Sequence, residues 1–465
     1  MWRSRPIDNV TNTASKNGDP ASDIVKHVRC ITVESELPRE DLLLIIERIA
    51  EGGRLARLEW NTCAHMPSDI FDKIHLTWPN LELSVAVKDR PSANTPAYRQ
   101  MDIALLSSPL LTELTYTVYY KGWQSGTPVA SEWPKLTQAL LAGGNVRSLR
   151  ITSEPDVRPC IVDENEPEKI PRLGLQPGVC LPKLEELSIR AETHRYLWDE
   201  PHCLALHDAI DPAHIQALDF GSDNPEEFFY TFTGLMPNLR SLAFGVKQGS
   251  VISARNFIKS LTGLQSLRIM SVKDEISELW PAINCHNETL KSLVFGLRLY
   301  FGPDYYAHGT PEYMSLRSLS SIPNKFPKLE HLGWPVPCEQ SIDEKHLSIF
   351  PTMNLKRLEI FTHLPKKPSD YAGNRISGGL GIQSLPSLDR KKSLAAATKI
   401  ATAISQMQNT TLELLTMHFS RSATADRGDP YVKYAEFQLK RNERPDAAGK
   451  VKYRVSRWDD FHFRN

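Results

Sequence analysis

The sequence has no excess charge of either sign. Its 465 residues hold 55 Lys and Arg against 55 Asp and Glu, so the whole chain has no electrostatic reason to condense on nucleic acid or an anionic membrane. A charged partner must be met by a local patch. No apolar run of about 18 residues, the length that spans a bilayer, occurs. The stretch from Met1 to Pro20 is polar and lacks the apolar segment of a secretory signal. These absences lead us to expect a soluble protein of the cytoplasm or nucleus that binds neither membrane nor nucleic acid. Cysteine is sparse and unpaired in pattern: Cys30, Cys63, Cys160, Cys180, Cys203, Cys285 and Cys338 are odd in number and include no C-x-x-C. That excludes a disulfide framework and predicts mostly buried thiols in a reducing compartment.

Motifs of catalysis are missing as well. There is no G-x-S-x-G, no H-E-x-x-H and no paired-carboxylate motif in a recognisable context. Neither an enzyme nor a cofactor is expected. The alternative is a metal-binding or enzymatic site built in insertions, with His202, Cys203 and His207 of EPHCLALHDAIDPAH as its nearest candidates. Zinc wants four ligands, and no second Cys/His pair offers itself, so the plainer reading of this segment is a helix.

What the sequence does have is self-similarity. The unit is an apolar residue, two variable ones, an apolar residue, one variable one and a further apolar residue. Clear copies place Leu184, Leu187 and Ile189, then Leu239, Leu242 and Phe244, then Leu264, Leu267 and Ile269 in these positions. Leu290, Leu293 and Phe295 form another, as do Leu329, Leu332 and Trp334, and Leu355, Leu358 and Ile360. Weaker copies start at Val28, Leu55, Leu111, Val146, Ile215 and Leu412, and WPNLELSV at Leu81 has a variant spacing, which makes thirteen. The intervals Leu239 to Leu264 and Leu264 to Leu290 are 25 and 26 residues, within the leucine-rich-repeat range of about 20 to 29. The last two apolar positions of a copy alternate on a short strand and point into a core shared with neighbouring copies. Between copies, REDLLLIIERIAEGG (Arg39 to Gly53) and SARNFIKSLTGL (Ser253 to Leu264) carry helical spacing.

These motifs resemble the leucine-rich-repeat family over Val28 to Met417. The resemblance implies an α/β fold: an irregular, curved solenoid with parallel strands on the concave face and helices on the convex face. The Asn or Cys that this family places after the strand is nearly absent, Cys63 being the clear match. FPKLEHLGW, WPNLELSV and the aromatic C-terminal segment are similar to the repeat region of fungal F-box and leucine-rich-repeat proteins. ELPREDLLLIIERI (Glu36 to Ile49) resembles the opening of an F-box, which docks the linker subunit of a ubiquitin ligase. It also reads as the helix of the first repeat. No F-box is recognisable before Val28. The implied function is a protein-interaction scaffold, a target-recognition subunit of an SCF-type ubiquitin ligase. An F-box-less relic without a ligase connection is the further alternative.

The expected organisation is a disordered segment over 1–22, a repeat array over 23–420 and a capping hairpin and tail over 421–465. Insertions near 154–180, 300–326 and 365–393 interrupt the array. The cap is read from YVKYAEFQLKR and KVKYRVSRWDDF around PDAAG. If the strand register is right, the residues between core positions line the concave face. They include Arg57, Glu59, Arg150, Arg190, Asp219, Arg268, Arg357 and Glu359, with a floor of small residues at Ser241, Ala243, Gly245, Ser266 and Ser292. Such a groove suits a protein segment met by a monomer, its arginines gripping carboxylates two-handed. Reversing the charges of Arg190 and Arg268 together is expected to weaken partner capture while leaving the fold intact, measured by pull-down and thermal melting.

Overall fold

A strand with an apolar residue at every second position must cover one face, and a single short strand has too little area to do so alone. The computed structural model of the protein shows how neighbours solve this. It describes residues 27–88, 90–91, 97, 99–119, 122–124, 127–129, 131–154, 172–181, 184–191, 196–246, 251–271, 275–297, 316–336, 344–363, 412–424, 430–441 and 453–464. The segment 1–22 and most of the three expected insertions lie outside them.

The chain begins with β1 (Cys30–Val33), β2 (Arg57–Trp60), β3 (Glu82–Val87) and β4 (Leu111–Tyr119). A separate antiparallel pair, β5 (Gly122–Gln124) and β6 (Thr127–Val129), follows. The series resumes with β7 (Ser148–Glu154), β8 (Glu186–Ala191), β9 (Ala217–Asp219), β10 (Ser241–Gly245) and β11 (Ser266–Ser271). It continues through β12 (Ser292–Leu297), β13 (His331–Pro335), β14 (Arg357–His363) and β15 (Leu414–Thr424). Last come β16 (Pro430–Arg441) and β17 (Tyr453–Arg464). Apart from β5 and β6, all join one sheet of 15 strands in chain order. Pairing is parallel from β1 to β15 and antiparallel for β15, β16 and β17. Each of the thirteen copies read from the sequence carries one parallel strand. The antiparallel β16 and β17 form the expected hairpin, and β15 runs past residue 421 into it.

Helices occupy the crossovers: α1 (Arg39–Gly52), α2 (Ser68–Thr77), α3 (Ile103–Leu106), α4 (Trp133–Gly143) and α5 (Glu200–Ala209). Then come α6 (Glu226–Phe232), α7 (Val251–Ser260), α8 (Glu275–Ile283), α9 (Leu316–Lys325) and α10 (Glu344–Leu347). Local signals fix their ends. Asp199 caps α5 by accepting from the His202 N–H, with a proline in the first turn. Gly144, at φ 67°, stops α4 in the left-handed region that a side chain disfavours. Helix α1 lies between β1 and β2 and buries Leu42, Ile46 and Ile49, so its apolar face is part of the core; Leu43 is only partly buried. The overall architecture is therefore α/β, a solenoid-like succession on one mostly parallel sheet.

Register carries the leucines from strand to strand. Leu114, Leu149, Leu187, Leu218, Leu242, Leu267, Leu293, Leu332, Leu358 and Leu415 sit opposite one another in sequence. The WPNLELSV copy pairs straight with β2, and its register with β4 shifts between Leu83 and Ser84, so that Val85 stands opposite Leu114. Strand and helix residues share one apolar cluster, which places the helices over that face of the sheet. Beneath β9 and β10 it is rich in phenylalanine, where Phe228 stacks on Phe232 at 4.2 Å and Phe229 on Phe257 at 4.9 Å. The turn after β9 is held by both backbone and side chain: Gly245 N–H donates to Asp223 O at 2.7 Å and Gly221 N–H to Asp219 Oδ1 at 2.8 Å, and a Cβ at Gly245 would run into the Ser222 backbone.

The cysteine expectation needs correction. Of the five described, all free, only Cys203 is buried; Cys30, Cys180 and Cys285 are exposed and Cys63 is intermediate. Cys30 sits at a strand position facing away from the core, Cys180 lies in a loop and Cys285 in a short 3-10 helix (Asn284–His286), where pattern alone does not reveal exposure.

Burial depth sets the first stability prediction. Leu267→Ala, at a fully buried row position, is expected to cost about 2–5 kcal/mol through the cavity it leaves. Leu76→Ala, at a residue 85% exposed, is expected to stay within about 0.5 kcal/mol. Urea unfolding midpoints of the two variants make the comparison.

Candidate functional site

The face opposite the helices collects the strand residues that the leucine row leaves outward. All eight residues expected on it lie on the described strands at these positions. What the sequence did not show is that most of them are engaged with each other.

Arg57 donates to Glu59 at 2.9 Å and, through both terminal nitrogens, to Glu113 at 3.0 and 2.7 Å. Ser84, on the strand between, donates to the same Glu113 carboxylate at 3.2 Å. The hydrogen bond from Arg57, aided by its charge, holds the Glu113 carboxyl below the usual carboxylate range. Arg150 grips Glu186 at 2.7 and 2.6 Å. Arg190 lies over Gly221 and pairs with Asp219 on the neighbouring strand. Arg357 differs: it is exposed, and among the described residues no carboxylate lies within ion-pair distance of it.

The second half of the face has a hub at Glu359 on β14. One carboxylate oxygen meets Arg268 of β11 at 2.8 Å and His331 of β13 at 2.9 Å. The other lies 3.5 Å from His418 of β15, whose second ring nitrogen lies 3.5 Å from Glu436 of β16. Phe361 stacks flat on the His418 ring, centroids 4.4 Å apart. Glu359 is 13% exposed. Burial opposes its ionisation, but the His331 and His418 rings beside it and the charge of Arg268 outweigh that, so the carboxyl stays well below its ordinary range. His331, His418 and Glu436 escaped the sequence reading. The signal that could have found them is position: each falls outward of the core row, in EHLGW, TMHF and AEFQL.

Arg268 reaches Glu359 across two intervening strands, over Val294 and Gly333. Val294 occupies the space a Cβ at Gly333 would need, and the Met270 thioether does the same at Gly296. The small-residue floor is therefore covered from β12 onward. It stays open at Ala217, Ser241, Ala243 and Ser266, a notch on β9 to β11 between the Arg190–Asp219 pair and Arg268.

Ser292 also hydrogen-bonds His331 at 2.9 Å, so Ser292, His331 and Glu359 form a hydroxyl–imidazole–carboxylate chain. Acyl transfer further needs donors for an oxyanion. Strand β12 is paired on both sides, which commits its backbone N–H groups to the ladder. The three side chains join β12, β13 and β14 across the sheet.

The His202 segment is helix α5. His202 is buried against the Tyr196 hydroxyl at 2.8 Å, and burial pushes its imidazole down to about 4. Burial likewise pushes the Cys203 thiol up to about 12, away from the thiolate a metal would bind. His207 faces Asp208. Among the described residues, no group of three or more His, Cys, Asp and Glu side chains is placed to hold a metal ion, and no described helix is long and apolar enough to cross a membrane. No protein-family model matches the chain, and no curated protein matches it.

The pairings change what the Arg190 and Arg268 charge reversal would test. It would set carboxylates against Asp219 and Glu359, so it probes sheet stability as much as partner capture. For the hub the sign is defined. A carboxyl with a depressed folded-state value adds stability above its unfolded range, near pH 4.3, and loses it as pH falls. Glu359→Gln is expected to lower the unfolding midpoint clearly at pH 7, and the gap to wild type to narrow steadily below about pH 4. Paired melts across pH 2.5 to 8, values chosen to bracket about pH 4, check this; a gap constant over the range rules out the hub's charge as the cause.

Proposed function

We propose that the chain is an irregular leucine-rich-repeat solenoid whose outward sheet face is concave and binds a segment of a partner protein. The observation that carries this reading is the open notch at Ala217, Ser241, Ala243 and Ser266, a stretch of small, half-exposed residues between the Arg190–Asp219 and Arg268–Glu359 ion pairs. Small side chains there let a partner backbone approach, and the phenylalanine cluster beneath gives the floor a rigid support. Thirteen copies with one parallel strand each, in chain order, support the repeat identity. Service as the target-recognition subunit of an SCF-type ubiquitin ligase rests on the resemblance of FPKLEHLGW and WPNLELSV to fungal F-box and leucine-rich-repeat proteins. Helix α1 gives its apolar face to the core, so a ligase linker subunit would have to dock elsewhere on the protein.

Peptide display on the immobilised full chain tests the binding reading. Peptides enriched on the wild type are expected to lose at least about tenfold in affinity, about 1.4 kcal/mol, on Ala243→Trp, which plugs the notch. Enrichment that ignores this substitution overturns the notch. Titration with purified linker subunit addresses the ligase part separately, and absence of binding removes it.

A further inference from the structure

The unpaired cations of the outward face gather in one place. Two rows run across the strands where the chain enters the sheet. In the first, backbone hydrogen bonds link Gln216, Arg240, Gln265, Lys291, Glu330, Lys356, Glu413 and Arg441 in turn. In the second, strand register aligns Ser241, Ser266, Ser292, His331, Arg357, Leu414 and Lys440. From β10 to β16 these rows hold six Lys and Arg against two carboxylates, Glu330 and Glu413. Toward the N-terminal strands the corresponding positions hold no such excess, with Arg29, Arg57 and Arg147 against Glu82, Glu113, Glu185 and Glu186.

The excess is also available. Arg240, Lys291, Arg357 and Lys440 are exposed and, among the described residues, have no carboxylate partner. The Ser241 and Ser266 hydroxyls are half-exposed and take no hydrogen bond among the described residues. In a chain of zero net charge, such a strip is a local field that favours an anion.

We infer that this strip binds an acidic, extended protein segment running across strands β10 to β14, with Arg357 as its principal two-handed carboxylate contact. The inference rests on the binding reading above and gives the partner its chemistry. Strands stand about 4.8 Å apart, so Arg240 to Arg357 spans about 19 Å, the reach of about six extended residues. A peptide fits better than single-stranded nucleic acid, because the positive excess is modest and, among the described residues, neither row contains a Phe, Tyr or Trp on which bases would stack.

The test uses the full chain and fluorescein-labelled decapeptides of alternating Glu and Gly, Gln and Gly, or Lys and Gly, with a ten-nucleotide oligothymidylate as a fourth probe. Anisotropy is expected to show binding of the Glu peptide alone. Lys291→Glu combined with Arg357→Glu should weaken it at least tenfold, and the Gln versions of both substitutions by a smaller factor, all with unchanged melting temperature. Arg147→Glu, outside the strip, should change it less than twofold. Equal binding of all peptides, tighter binding of the oligonucleotide, or indifference to the Lys291 and Arg357 variants overturns the inference. If display selects notch-dependent peptides that are neutral or basic, the strip fails while the binding reading stands. If no peptide depends on the notch, the binding reading fails first.

Discussion

The fold depends on keeping one row of leucines in register across the parallel strands. Each strand contributes a few apolar side chains, which is too little to hold it alone, so its burial exists only while its neighbours align. A slip of one residue would turn Leu267 outward and Arg268 into the core, where an unpaired charge is far more costly than a lost methylene. Register is thus strongly specified, and where it shifts, between Leu83 and Ser84, apolar residues still stand opposite apolar ones, Leu83 opposite Leu111 and Val85 opposite Leu114. The same constraint decides what lies on the other face. Residues between core positions have nowhere else to go, so the row that stabilises the sheet also composes the surface a partner would meet.

That is why the outward residues were legible and their partners were not. Alternation around Leu58, Leu149 and Leu358 is local information, enough to put Arg57, Arg150 and Glu359 on the correct face. Which carboxylate an arginine meets depends on residues far away in the chain: Arg57 and Glu113 are 56 residues apart, and Arg268 and Glu359 are 91 apart. In both pairs the arginine passes over intervening strands whose outward residues are short, Ser84 in one case and Val294 and Gly333 in the other. The length of a guanidinium arm and the smallness of what lies beneath it jointly select the partner, and no single copy of the repeat contains both facts. The thiols taught a related lesson, since small residues at turns and outward positions carry no periodic signal.

Pairing within the face also changes the meaning of its charge. An arginine already held by a carboxylate gains little from a second one, because a partner must displace the first and leave it seeking other company. The N-terminal strands are crowded with charge and, by this reasoning, weakly receptive. Where the Glu359 hub ties β11, β13, β14, β15 and β16 together, the charge has gone into bracing the sheet.

Receptivity then belongs to groups that the fold leaves over. Arg357 stands two residues before Glu359 on the same strand, yet faces water while its neighbour is enclosed. It has only hydration to give up on meeting a carboxylate, so a new contact there costs less than one at Arg268. The bracing of the sheet helps in a second way: strands fixed by the hub cannot rearrange, so a bound segment meets a preformed row and the ordering falls mainly on the segment itself. Affinity on such a face follows from how many unpaired cations lie in line with the open notch, and the most densely charged strands contribute least.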